Sequence, residues 1–139
     1  MLQPTTRALA ALAALARFAA ADASAATLVI QVQGVRSDRG TIYAGVCATG
    51  FEESDCPYKT REAAVVGTVE LRIQDVEPGD YAIAVFQDLN GNGRIDRPFF
   101  IPSEPYGFSN GAGRRGPPRF EAAKVSVREP ATTVVVPLR

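Results

Sequence analysis

The segment Asp88-Leu89-Asn90-Gly91-Asn92-Gly93-Arg94-Ile95-Asp96 concentrates oxygen-bearing side chains at a spacing that suits a hard cation. Asp88, Asn90, Asn92 and Asp96 stand at relative positions 1, 3, 5 and 9, with Gly93 at position 6. In a tightly turning loop alternate residues point inward, so their oxygens converge, and a glycine permits the sharp turn. The main-chain carbonyl of Arg94 is the expected seventh-position ligand. An EF-hand would place a bidentate glutamate at position 12, where this chain has Phe99, and would enter the loop from a helix rather than a strand. A true EF-hand is therefore not expected, and Glu104 is the candidate to complete the shell. With only Asp88 and Asp96 charged, calcium binding is expected in the range of about 0.1–1 mM typical of extracellular modules. Asn, Asp and Gly also build metal-free Asx-turns, so a bare turn is the competing reading.

Other chemistry is thinly supplied. The chain has no histidine, which removes the commonest general base and the commonest transition-metal ligand. Triads built on histidine and ordinary catalytic zinc sites are excluded. Ser103 and Ser109 have no neighbouring Lys or His in sequence to activate them. Asp88 and Asp96 could form an acid/base pair, but the glycines and asparagines between them suit a metal or a turn better. No catalytic residue and no enzymatic activity is expected. The aromatic run containing Phe99, Phe100, Tyr106 and Phe108 can either offer a ligand platform or fold back over the core, and packing is the preferred reading. Arg114, Arg115 and Arg119 form a small basic patch, expected to be solvated.

The elements that must position this loop read as strands. Thr27–Gln33 alternates, with Leu28, Ile30 and Val32 facing a core, and Thr41–Val46 is its expected hairpin partner. Residues 47–62 read as a charged loop, and Ala63–Gly67 as a short edge strand. Val69–Ile73 alternates again. Tyr81–Phe86 is apolar on both faces, as a central strand should be. A long loop runs from Asp88 to about Glu121, followed by strands over Ala123–Val127 and Thr132–Val136. No helical period follows the N-terminal segment. The expectation is an all-β fold, a single Ig-like or prealbumin-like β-sandwich of about seven strands with one long loop.

Ahead of this domain, Arg7 precedes the apolar run Ala8–Ala16, and small residues including Ala23-Ser24-Ala25 follow. That order of a basic, an apolar and a small-residue region is a secretory signal. Residues 1–26 are read as a cleaved signal peptide, with the cut after Ala25 or Ala26, and residues 27–139 as the domain. Cys47 and Cys56, the only cysteines, are expected to form a disulfide in an exported chain. A loop this short would add roughly 2–3 kcal/mol on the chain-entropy model. The expected location is periplasmic or secreted. The near-neutral charge gives no reason to bind nucleic acid or anionic lipid, and no apolar run in the mature chain reaches the ~18 residues that span a bilayer.

Three ordered runs carry a resemblance. They are Pro78–Asp96, Ile101–Asn110 and Gly116–Ala123. Together they resemble the bacterial exported family catalogued as domain of unknown function 2141, over nearly the whole mature chain from about Leu28 to Leu138. The resemblance implies a signal peptide, a β-sandwich and a periplasmic or secreted location. It supplies no activity, substrate or catalytic residue. Gln87 stands where the family commonly has His, and Phe100 where it commonly has Gly. The Pro78-Gly79-Asp80-Tyr81 turn is similar to one in prealbumin-like and carboxypeptidase-regulatory-like sandwiches, a likeness of fold alone.

Three functional expectations follow. The first is a non-catalytic binding or accessory domain whose Asp88–Asp96 loop takes calcium as a structural cofactor, and which presents Tyr106 and Phe108 to a protein or small-molecule partner of unknown identity. The second is a small-ligand or carbohydrate-binding module using exposed aromatics. The third is a hydrolase using metal-activated water.

Overall fold

Strand β1 (Ala26–Val35) keeps the period-two pattern: Ala26, Leu28, Ile30 and Val32 are buried on one face. The structure, a computed structural model, describes residues 14, 24–94 and 103–139. Almost all of the expected signal segment, together with Asp96, Phe99 and Phe100, lies outside the described residues. The remaining strands are β2 (Thr41–Cys47), β3 (Tyr58–Ala63), β4 (Gly67–Val76), β5 (Gly79–Asp88), β6 (Tyr106–Phe108), β7 (Lys124–Val127) and β8 (Ala131–Pro137).

They form two sheets. The first has the order β4-β1-β8. The second has the order β3-β2-β5-β6, and β7 also pairs with β5. The inward residues of both sheets meet in one core, with Leu28, Ile30, Val32, Leu71 and Val136 from the first and Ile42, Val46, Ile83 and Val85 from the second. Each fully buried side chain of this kind contributes about 1.5–3 kcal/mol. The fold is thus an all-β sandwich.

Two bulges keep inward residues in phase. The β1–β4 register shifts between Val32 and Val35, and again between Ala26 and Leu28. At the second shift Asp75 takes φ 59, which returns Val76 to the core. Pairing is antiparallel except between β1 and β8, which run parallel from Thr27↔Ala131 to Gln33↔Pro137.

Four sequence expectations are corrected. Strands β1 and β2 are not a hairpin: β1 lies between β4 and β8, and β2 between β3 and β5. The connection between them crosses from one sheet to the other, which equally satisfies two consecutive amphipathic strands. The charged stretch 47–62 holds strand β3, whose polar sequence fits an edge strand that sends mainly Tyr58 against the core. The expected strand over Ala63–Gly67 is instead the corner between β3 and β4, and its two valines, Val65 and Val66, are exposed. The long connection after β5 is also less bare than expected, since it carries β6, a 3-10 turn (Ser109–Gly111) and one helical turn, α1 (Phe120–Ala123).

Strands β6 and β7 share one edge of β5. Strand β7 covers Gly79–Ala82 and β6 covers Ala84–Phe86. Beyond β8, Arg139 exchanges two main-chain hydrogen bonds with Tyr106, each 3.1 Å, which joins the last strand of the first sheet to β6 of the second.

Candidate functional site

Strand β5 ends at Asp88, and the carboxylate of that residue organises the turn that follows. Asp88 is 2% exposed. Its Oδ1 accepts the N–H of Gly91 at 3.0 Å, and its Oδ2 accepts the N–H of Gly93 at 2.7 Å. Gly91 and Gly93 have φ of 77° and 70°, the left-handed region that glycine enters without steric cost. The Oδ1 of Asn90 accepts the N–H of Asn92 at 3.2 Å, and the Oδ1 of Asn92 accepts that of Arg94 at 2.9 Å. Those two contacts are Asx-turns. The three side chains at alternate positions therefore all aim an oxygen forward along the loop, at main-chain N–H groups two to five residues ahead.

Glu104 is brought to the same place from farther along the long connection, just ahead of β6. It is 5% exposed, and its Oε2 accepts the N–H of Leu89 at 2.6 Å. The main chain beside it is anchored too, because the N–H of Gln87 donates to the carbonyl of Pro105 at 2.8 Å. Asp88 and Glu104 are thus two nearly buried carboxylates at the root of one turn. Among the described residues no Lys or Arg forms an ion pair with Asp88. Asp96 lies outside the described residues, and Arg94, which is exposed, would contribute only its carbonyl. Among the described residues no three carboxylate or thiolate groups converge. The side chains gathered at the root of this turn carry carboxylate and amide oxygens, hard donors of the class that suits calcium better than soft metals.

Sequence reasoning missed the support behind the loop. Gln87 is 1% exposed, and its Nε2 donates to the carbonyls of Ser37 at 3.1 Å and Arg39 at 2.7 Å, with Ser37 Oγ also at 3.1 Å. It ties the β1–β2 connection to the root of the turn. Next to it Gly40 has φ 74°, and a Cβ built there would lie 1.9 Å from the carbonyl oxygen of Asp88. A usable signal existed: Gln87 is an amide at an inward position of an apolar strand, and such a group needs partners.

The other candidates take structural places. Cys47 and Cys56 form the expected disulfide. Ser109 is fully buried; its Oγ accepts the N–H of Ile83 at 2.9 Å and donates to the carbonyl of Ala123. It fills the gap on the β5 edge between β7 and β6. Phe108 is buried and packs edge-on against Phe51, 5.0 Å between centroids, and Phe120 makes a second edge contact with Phe51 at 5.5 Å. Phe108 is therefore not presented outward. Tyr106 is half-buried beside Phe108 and the Arg139 guanidinium. On the outer face of the second sheet Tyr43 and Phe86 stack on each other, 5.3 Å apart and 11° from parallel. Arg114, Arg115 and Arg119 are exposed, as expected.

No helix among the described residues is long and apolar enough to cross a membrane. No curated protein and no solved structure matches the chain. Residues 30–135 match one family, described as an uncharacterized protein conserved in bacteria. That stretch runs from β1 to β8 and takes in the Asp88 turn, Glu104 and the disulfide, so the chain belongs to this family, DUF2141.

Proposed function

We propose that this is an exported, non-catalytic accessory domain whose Asp88 loop binds one calcium ion, which orders the long connection after β5. The observation that carries the reading is the buried Asp88 carboxylate, aimed into a glycine-rich turn without a Lys or Arg partner among the described residues. A buried charge of this kind gains from a bound counter-ion. Asp88, Asn90, Asn92 and Glu104 would hold the ion through side-chain oxygens, Arg94 through its carbonyl, and Asp96 through its carboxylate. Calcium would supply charge neutralisation and a cross-link between the turn after β5 and the segment that leads into β6. The burial of Ser109 and the lack of histidine support a non-catalytic role. Among the described residues the packing of Phe108 and the mutual stacking of Tyr43 and Phe86 leave few free ring faces for a sugar, which counts against the carbohydrate reading.

The disulfide supports export. Ala26 is buried in β1 and paired with Val76, which favours cleavage after Ala25 over cleavage after Ala26.

Thermal melts in chelator and in rising calcium test the reading. At ten times the dissociation constant calcium should add about 1.4 kcal/mol, a rise of several degrees in Tm. Asp88→Asn keeps an oxygen acceptor but lowers the charge, and it should flatten the calcium response. No response of the wild-type protein at millimolar calcium would reduce the loop to a turn.

A further inference from the structure

A groove of about 540 Å³ runs along the seam between β7 and β8. Its walls include Val125 and Ser126 of β7 and the consecutive residues Thr132–Val135 of β8. Side chains of a strand alternate between faces. A groove that touches four successive residues therefore follows the strand's edge and not one of its faces. In the first sheet β8 is an edge strand, paired only with β1, and in the second β7 pairs only with β5. Asn110 and Gly111 of the 3-10 turn form its third wall, and among the described residues no main-chain hydrogen bond crosses it at Thr132–Val135. Farther along the same seam, the bonds between Tyr106 and Arg139 already close the gap.

The groove is electrically uneven. Arg114 lines it near Pro137, and the Arg139 guanidinium donates to the Arg114 carbonyl at 3.1 Å, so two cations share that region. On the β7 wall the carboxylate of Asp80 accepts the hydroxyl of Ser126 at 2.7 Å. The four β8 residues span about 13 Å when extended, at roughly 3.3 Å per residue.

We propose that this seam binds an extended peptide segment of another protein, which adds as a strand to the free edge of β8 and places a carboxylate against Arg114. Main-chain hydrogen bonds would supply affinity in such a complex, and the arginine would supply direction and preference. The inference is independent of the calcium loop, which lies at the end of β5.

The test is an NMR titration of the isotope-labelled protein with blocked hexapeptides of alternating Thr and Val, carrying a Glu at one end or at the other. One Glu peptide should give saturable amide shifts confined to β7, β8 and residues 110–114. Methylating alternate peptide nitrogens, which removes strand-forming donors, should weaken binding by about tenfold or more. Arg114→Ala should weaken the preferred Glu peptide several-fold and leave its Gln counterpart unchanged. Equal binding of the methylated peptide, or no shift at millimolar peptide, would overturn the proposal. So would a concentration-dependent dimer that protects the β8 amides, because a second copy would then occupy the edge.

Discussion

The carboxylate of Glu104 accepts the amide hydrogen of Leu89 at 2.6 Å, across fifteen residues of chain. This bond closes the first part of the long connection, residues 89–104, into a loop fastened at the end of β5. Replacing Glu104 with alanine leaves the Leu89 N–H without that acceptor and should cost about 1–3 kcal/mol in chelator. Glu104→Gln retains an oxygen and should cost less. If Glu104 also holds calcium, the Gln variant should gain less from the ion than wild type. Urea melts with and without calcium separate the two effects.

Ser109 replaces a strand hydrogen bond. Its hydroxyl serves Ile83 of β5 and Ala123 at the end of α1. Ser109→Ala should destabilise by about 1–3 kcal/mol, because a buried main-chain N–H and a carbonyl lose their partner together. Amide exchange should accelerate first at Ile83. An unchanged exchange rate there would contradict the assignment.

Gly40 and Gly91 share nearly the same φ, 74° and 77°, but differ in surroundings. A Cβ at Gly40 meets the Asp88 carbonyl, whereas one at Gly91 meets nothing within 4 Å. Gly91→Ala should therefore cost only the conformational penalty, about 1–2 kcal/mol. Gly40→Ala adds a collision with main chain and should cost about 3 kcal/mol or more. Paired chemical melts give the difference directly, and equal costs would show that the approach of Gly40 to Asp88 is looser than described.

Burial and the neighbouring Tyr58 push the Tyr81 phenol up to about 12. Its hydroxyl donates to the Glu77 carbonyl at 2.6 Å. The folded state thus favours the protonated phenol. Its contribution to stability is full below the ordinary tyrosine value near 10 and is lost as pH rises toward 12. Tyr81→Phe should flatten the alkaline limb of a stability profile between those values. A tyrosinate absorbance titration of the folded protein should show one late-titrating group, which the variant lacks.

Much of the scaffold was legible because its strands carry their own period. Leu28, Ile30 and Val32, or Val69 and Leu71, alternate with polar residues and so declare both strand and face. Strand pairing was harder. The adjacency of Thr27–Gln33 and Thr41–Val46 in sequence suggests a hairpin, yet the connection held by Gln87 leads to the opposite sheet. Strand β3 was missed because an edge strand with a solvated face has almost no apolar period, and Val65-Val66 drew the assignment to the corner beside it. The three-residue strand β6 depends on partners on both sides, Phe86 and Arg139, that no local pattern encodes. At the site, Asp88, Asn90, Asn92 and Glu104 could be named from residue type and spacing. Gln87 could be marked only as an inward amide in need of partners, and Gly40 not at all, because the groups they meet lie about fifty residues away in sequence.

The parallel register of β1 and β8 has a mechanical meaning. The start of β1 and the end of β8 lie at opposite ends of one ladder. Tension applied through the chain flanking these two strands therefore runs along the ladder and loads its hydrogen bonds together. An antiparallel pair pulled from one end opens like a zipper, one bond after another, whereas this pair must slide. The first sheet would then resist forced extension through shear at a single interface, with the Arg139–Tyr106 bonds carrying part of the same load.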